Sequence, residues 1–456
     1  MSNSKDWKAD LPAAFTEWLG DRRVDDVECI VADIAGMSRG KAMPAKKFAR
    51  AEAMYLPVSI YFQTINGSYA DLDDMENQWT EADLVLKPDL AAATAVPWSD
   101  DVTLQVIHDA YYQDGTAVPF SPRNLLKLIV DKYAALGLKP VVAPELEFYL
   151  TKPNTNPDNA IEPPIGRTGR QGVAHQAYSI SAIEEYGTVI DDIYDFAEAQ
   201  GFEIDTIIQE SGAGQIEINL HHGDPIALAD QVFFYKRSIR EAALKNDCFA
   251  TFMAKPMQNQ PGSAMHIHQS VISSKTGKNV FNDENDQPTD KFFGFLAGQQ
   301  SYLPAVFCIL APYVNSYRRF VRDDSAPINL EWDFDNRTTG LRVPLSSPQS
   351  RRVENRIVGM DCNPYLAIAA SLACGLIGMQ ENNKPRNALA SDAYSLPHQL
   401  PRGLHEALDL FAECQPIQDM LGKPFCNLYT AIKMHESEAF LEVISPWERE
   451  HLLLNV

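Results

Sequence analysis

Short runs of alternating apolar and polar residues dominate positions 1–115, and longer helical periods take over afterwards. Positions 13–20 carry a short helical pattern. Positions 27–33 read as a strand that runs into turns at Gly36 and Gly40. A second strand is expected at 56–64, ending at Asn66-Gly67-Ser68, and a third at 102–108, before the turn Gln113-Asp114-Gly115. Pro119 and Pro122 then punctuate the chain. An amphipathic helix is predicted over 123–136, with Gly137 ending it. Beyond it, strands are expected at 140–150, 203–209, 214–220, 250–255 and 264–272. Helices are expected at 181–200, 225–247, 289–311, 364–379 and 403–414. The stretch 152–176, rich in Pro, Asn and Gly, reads as a long loop. The pattern therefore predicts an α+β fold, a small β-rich domain followed by a larger mixed one. It does not order the strands.

Composition narrows the function. A chain of 456 residues holds two or three domains, and an apolar share of 45% is ordinary for a soluble globular protein. The formal net charge of −22 argues against nucleic-acid binding, which needs basic surface. The same charge would draw in a polycationic substrate at low salt, and it equally fits a plain solvated acidic surface. The seven cysteines are scattered without a CxxC pair, so neither a disulfide framework nor a zinc cluster is implied. The polar start of the chain lacks a signal-peptide core, and no run of ~18 apolar residues suggests a membrane span. A cytoplasmic setting, with no membrane and no nucleic acid, is the expectation.

Three short segments carry candidate chemistry. Glu145 and Glu147 alternate with apolar residues, so a strand would put both carboxylates on one face. Such a pair repels, and a divalent cation removes the penalty. Glu210 and Glu217 flank Ser211-Gly212-Ala213-Gly214, whose small residues allow close backbone approach to a ligand. His266 and His268 also alternate. Each segment has a bland counterpart: surface acids on a strand edge, incidental acids around a hairpin, structural histidines. Downstream, eight of the chain's 39 lysines and arginines fall between Arg318 and Arg356, together with Glu354. Guanidinium forks match phosphate and carboxylate, while a salt-bridged surface helix is the alternative. Gly340 and Pro344 interrupt the tract and count against a plain helical face.

In this order, the segments resemble the glutamine synthetase family. The resemblance is carried by Glu145-Leu146-Glu147-Phe148, Glu210 through Glu217, Gly262-Ser263-Ala264-Met265-His266-Ile267-His268, Asn315 through Arg319, Asn336-Arg337-Thr338, Arg351-Arg352-Val353-Glu354-Asn355-Arg356 and Asn363-Pro364. It implies a small N-terminal β-grasp domain, 1–115, and a glutamine-synthetase/guanido-kinase-like catalytic domain with an antiparallel sheet, 116–456. It further implies a homododecamer of two hexameric rings with inter-subunit active sites. By the same resemblance, one metal would be held by Glu147, Glu210 and Glu217, and a second by Glu145, His266 and Glu354. Two or three Mg²⁺ or Mn²⁺ ions per site suit such oxygen-rich sets. Arg337 and Arg342 would bind phosphate. His268, Ser270 and Arg352 would lie near ATP, the cosubstrate. Arg319, Arg356 and the Gly262 backbone would hold glutamate.

Departures from the family pattern fall in the acceptor site. Asn66 stands where glutamine synthetases carry an ammonium-binding aspartate, Ser325 where they carry a flap glutamate, and Pro261 where they carry an asparagine. The chain is similar to the γ-glutamylpolyamine (γ-glutamylputrescine) synthetase branch, so the implied reaction joins glutamate to a primary amine, putrescine or another polyamine, through γ-glutamyl phosphate. Arg337 would stabilise the transferring phosphoryl group. Asp323 or Asp324 would take the proton from the amine, and Glu331 and Trp332, with Asn66 and Ser325, would line its pocket. Ethanolamine or a small alkylamine, ammonia, and an inactive structural or regulatory relative are the competing readings.

Overall fold

The computed structural model describes residues 7–51, 53–70, 81–321 and 326–456. Six strands, β1 (Asp26–Ala32), β2 (Ser38–Pro44), β3 (Met54–Pro57), β4 (Asp83–Pro88), β5 (Thr94–Ala95) and β6 (Thr103–Tyr111), form the first sheet. Its order is β2-β1-β6-β4-β3, with β5 also on β6. The β1–β6 pair is parallel and the other pairs are antiparallel. Gly36 makes the expected turn with φ +79°, but Gly40 lies inside β2. A Cβ there would fall 1.9 Å from the Cys29 carbonyl oxygen, so close strand approach, not a turn, selects that glycine. The strand expected at 56–64 stops at Pro57 and continues as a 3₁₀ turn, Val58–Tyr61. Proline lacks the N–H that would extend the ladder, and the buried run after it has no alternation to exploit.

Eight strands form the second sheet: β7 (Leu138–Thr151), β8 (Ile204–Gln209), β9 (Gln215–Leu220), β10 (Phe249–Thr251), β11 (Ile267–Ser273), β12 (Trp332–Phe334), β13 (Leu341–Val343) and β14 (Val353–Asn355). The order is β12-β13-β14-β11-β7-β9-β8, with β10 on β7, and only β12–β13 is parallel. Helix Pro364–Glu381 is buried from Pro364 to Gly378 and packs against Asp290–Tyr302. Backbones touch there: a Cβ on Gly298 would lie 2.1 Å from the Cys374 carbonyl. The helix expected at 289–311 is broken after Tyr302 because Pro304 cannot continue the hydrogen-bond ladder. The one expected at 181–200 divides into Ile180–Glu184 and Gly187–Gln200. Three helices beyond 414, Gln415–Leu421, Lys423–Leu441 and Pro446–His451, extend past the predicted set. Among the described residues, no single helix is long and apolar enough to cross a membrane.

A buried arginine ties the first sheet to helices Pro122–Ala135 and Pro225–Lys245. Arg123, on helix Pro122–Ala135, donates to Asp230 at 2.9 and 2.8 Å, to Asp109 on β6 at 2.6 Å and to Asp89 after β4 at 2.8 Å. Tyr365 donates to Asp230 at 2.6 Å.

Candidate active site

Strand registry builds the floor of the site. Glu145, Glu147 and Tyr149 share one face of β7. On β9, Asn219 stands opposite Glu145 and Glu217 opposite Glu147. Like charges directly opposite destabilise a ladder, so this pairing demands a compensating cation or proton. On the other edge of β7, the N–H of Glu145 donates to His266 O at 2.9 Å. Strand β11 then pairs with β14, placing His268 opposite Glu354. Glu210 enters from the turn before β9, where its N–H donates to Gln215 O at 2.8 Å.

Arginines form the wall. Arg342 on β13 faces Glu354, donating to it at 2.8 Å and to Asp335 at 2.6 Å. Arg356 also donates to Glu354, and Arg352 Nε donates to His268 Nδ1 at 3.2 Å. The buried Arg319 guanidinium donates to the carbonyls of Ile357, Val358 and Arg356 at 3.2, 3.3 and 2.9 Å. Its stem lies on Gly262, where a Cβ would meet Arg319 Cγ at 2.5 Å.

These groups share one cavity of about 450 Å³, lined by Glu145, Glu147, Glu210, Glu217, His266, His268 and Glu354 and by Gly262, Arg319, Arg337, Arg342, Arg352 and Arg356. A second cavity of about 750 Å³ adjoins it through Glu145, Asn219, His268 and Arg352, and is lined further by Ser270, His221, His222 and Gln349. The first is dominated by charged side chains, with Tyr178, Ile208 and Leu345 among its apolar lining. The second has the size and mixed lining for a nucleoside.

The first cavity sets five glutamates against five arginines, so its charges balance in number but not pair by pair: Glu147 faces Glu217, while Arg342 and Arg356 gather on Glu354. Burial, then the Glu210 charge, pushes Glu147 up to about 8. Burial, then Glu145 and its neighbours, pushes Glu217 up to about 10. Burial also raises Glu210. For Glu145, burial is outweighed by hydrogen bonds from His266 Nδ1 at 2.9 Å and His268 Nε2 at 2.8 Å, so it stays well below the carboxylate range. For Glu354, burial is outweighed by Arg356 and the histidines, which bring it to about 2. Burial and Arg356 lower His266, favouring the neutral imidazole a metal needs.

Two groups have ligand atoms within 4.8 Å of one another: Glu145, His268 and Glu354, and Glu145, Glu217 and His266. The expected partition put Glu147, Glu210 and Glu217 in one set and Glu145, His266 and Glu354 in the other. Glu145 instead belongs to both of the observed groups, and β11–β14 registry sets His268 opposite Glu354. All the expected acids still line the one cavity. Carboxylate oxygens with an imidazole, and neighbouring carboxylates raised by burial and by one another, fit hard divalent ions such as Mg²⁺ or Mn²⁺.

Of the predicted amine residues that the structure describes, none lines the cavity. Asp323, Asp324 and Ser325 lie outside the described residues. Asn66 sits on an exposed turn, its Oδ1 accepting from Ser68 N at 3.2 Å and Ser68 Oγ at 2.7 Å, and it does not line the cavity. Glu331 is engaged by Gln399 at 2.9 Å and Arg386 at 3.2 Å. Trp332 is buried, donates from Nε1 to Arg386 O at 2.7 Å and packs on Phe292, Phe293 and Phe334. Trp332 is thus buried and Glu331 half-buried beside Arg386, and neither lines the cavity.

Sequence reasoning missed Gln215, Tyr178, His221 and His222. Gln215 Nε2 reaches Glu147 at 3.4 Å and Gly262 O at 3.0 Å. Its signal was present, since it shares the β9 face of Glu217. Tyr178 lines the cavity mouth with a left-handed φ of +62°. Nothing in its surrounding sequence announced it.

Comparison with known proteins gives a consistent picture. The family model "Glutamine synthetase, catalytic domain" matches residues 119–452. Gamma-glutamylputrescine synthetase PuuA of Escherichia coli (strain K12) is 32% identical over 438 residues, covering 94% of this chain and 92% of that protein. A glutamate–isopropylamine ligase of a Pseudomonas species is 32% identical over 447 residues, covering 95% of each. The solved structure of apo GmaS without ligand superimposes with a TM-score of 0.81 at 24% identity, over 97% of this chain and 99% of that one, a likeness of fold.

Proposed function

The chain belongs to the glutamine synthetase family and is an ATP-dependent ligase, and we propose that it joins the γ-carboxylate of glutamate to a primary amine, putrescine or another polyamine. The observation that carries this reading is the single cavity in which buried carboxylates face a wall of arginines, beside a larger nucleoside-sized cavity. In the proposed reaction a γ-carboxylate oxygen bonds to the γ-phosphorus of ATP and the bond to ADP breaks. The amine nitrogen then attacks the acyl carbon, phosphate leaves, and the nitrogen gives up a proton. Divalent ions held by the glutamates and histidines would neutralise phosphate charge.

The side chains have separable roles in this scheme. Arg319, fixed by three backbone carbonyls, and Arg356 hold glutamate. Arg337 and Arg342 meet the transferring phosphoryl group, where charge develops. Glu354 aims Arg342 and Arg356 by accepting from both. Ser270, His268 and Arg352 fall beside the nucleotide. Asp323 or Asp324 serves as the base. The proposal includes a division between domains near residue 115, a cytoplasmic setting, and a ring-shaped dodecamer whose sites are completed by neighbouring subunits. The outward position of Asn66 supports that last point.

A small alkylamine is the second reading. Glu331 and Trp332, which would have met a distal ammonium, are engaged elsewhere, while Tyr178, Ile208 and Leu345 give the cavity an apolar rim. Phosphate release with ATP, glutamate and Mg²⁺ tests both readings. Putrescine or spermidine should exceed n-alkylamines, ethanolamine and ammonium by at least about tenfold in kcat/KM. Preference for a monoamine would favour the second reading, and no amine dependence would overturn both.

A further inference from the structure

The segment that carries Arg319 is a seven-residue 3₁₀ helix, Val314–Phe320. Runs of this length are uncommon because 3₁₀ hydrogen bonds are poorly aligned, so external contacts must hold it. Two such contacts come from Lys255 and Asp361. Asn315 exchanges hydrogen bonds with the backbone of Lys255, both at 3.0 Å. Ser316 Oγ donates to Asp361 at 2.6 Å and accepts from Tyr313 N at 2.9 Å.

The third contact comes from the far side of the fold. On helix Lys423–Leu441, Lys433 is 1% exposed and its Nζ sits 4.1 Å above the centre of the Tyr313 ring. The same ammonium donates to Glu436 Oε2 at 2.7 Å. The other oxygen of Glu436 accepts the N–H of Ile65 at 2.7 Å, inside the Thr64–Ser68 turn that displays Asn66. Neither Lys433 nor Glu436 lines either cavity. Burying a charge pair gains little stability over a well-packed apolar pair, whereas its directed hydrogen bonds fix registry.

We propose that the Lys433–Glu436 pair positions the glutamate site: it clamps the start of the Arg319 segment through Tyr313 and binds that segment and the Asn66 turn to one helix. The proposal rests on the reading of Arg319 as a glutamate ligand. Loosening the clamp lets the 3₁₀ segment drift and Arg319 leave its carbonyl cradle, weakening glutamate while ATP, held by other strands, is unaffected.

The test is the full-length double variant Lys433→Met/Glu436→Gln, which removes both charges while keeping the apolar stem and an acceptor for Ile65 N–H. Glutamate KM should rise at least about tenfold with ATP KM within about twofold of wild type, and thermal stabilisation by glutamate should be lost. Lys433→Arg should keep glutamate KM within about threefold. Should the double variant fail to fold, Tyr313→Leu carries the same expectation, with Tyr313→Phe near wild type. Unchanged glutamate KM in a folded double or Tyr313→Leu variant overturns the clamp, as does an equal rise in both KM values. Wild-type protein that glutamate neither activates nor stabilises overturns instead the underlying assignment of Arg319.

Discussion

Two charge clusters in this protein differ in how their members pair. Around Arg123, Asp89, Asp109 and Asp230 receive the guanidinium's bonds, Tyr365 adds another, and Lys127 pairs with Asp109 at 2.5 Å. Burial would lower Arg123, but Asp230 outweighs it and the net shift is upward. In the cavity, by contrast, Glu147 opposes Glu217 in the ladder and both are held protonated near neutrality. The first cluster closes on itself and joins elements. The second is completed only by something brought from outside. Acid clusters are thus told apart by whether their neighbours satisfy them, not by how many acids they contain.

Substitutions should separate the two. Glu145→Ala and Glu354→Ala should each lower phosphate release by about 10³-fold or more if they hold the proposed divalent ion; Glu145→Ala should leave the unfolding midpoint near wild type, whereas Glu354→Ala also strands Arg342 and Arg356 and should lower it. Near-normal turnover at saturating Mg²⁺ would place them outside the metal site. Arg123→Met should do the reverse. It removes the shared partner of three carboxylates, leaving Asp109 only Lys127 and Asp230 only Tyr365, and should cost about 3–5 kcal/mol in urea unfolding, with kcat preserved in the folded fraction. An unchanged urea midpoint would deny the cluster its joining role. Arg337→Lys should lower kcat by about 10²-fold with smaller changes in KM, since lysine lacks the planar fork needed as charge develops. A raised KM with kcat intact would mark ordinary ground-state binding instead.

Proton linkage sharpens the contrast. Glu147 and Glu217 titrate higher in the folded, metal-free protein than the ordinary 4.5, at about 8 and about 10. The folded state therefore binds more protons than the unfolded one across that window, and metal-free stability falls as pH rises from 4.5 through 8. A divalent ion needs both carboxylates ionised. Stabilisation by Mg²⁺, read as a shift in melting temperature, should grow from about pH 6 through about pH 10, and a constant shift would contradict the assignment. The smallest effect concerns acceptor choice: Asn66→Asp with Ser325→Glu should raise the ammonium-to-putrescine ratio of kcat/KM by about tenfold, and an unmoved ratio would show that these positions do not select the amine.

Legibility followed range. Period-2 alternation was enough to place Glu145 with Glu147 and would have placed Gln215 with Glu217, because a strand fixes faces locally. The breaks at Pro57 and Pro304 were equally local, though the apolar runs around them concealed both. The role expected of Trp332 failed for the opposite reason. It follows closely after the segment with Asp323 and Asp324, yet β12–β13 pairing turns its ring into the Phe292 and Phe293 cluster. Nearness in sequence is weak evidence of nearness in space across a strand whose partner is unknown.

By itself, the sequence determined which side chains carry chemistry, how they face along each strand, and which family they resemble, since residue type and backbone period are properties of short segments. Only the tertiary structure decided that Glu217 stands against Glu147, that His268 meets Glu354, that Arg123 closes three aspartates, and that Lys433 reaches Tyr313. Each of these contacts joins segments distant along the chain, and its geometry is set by strand order and helix packing, which no local pattern encodes.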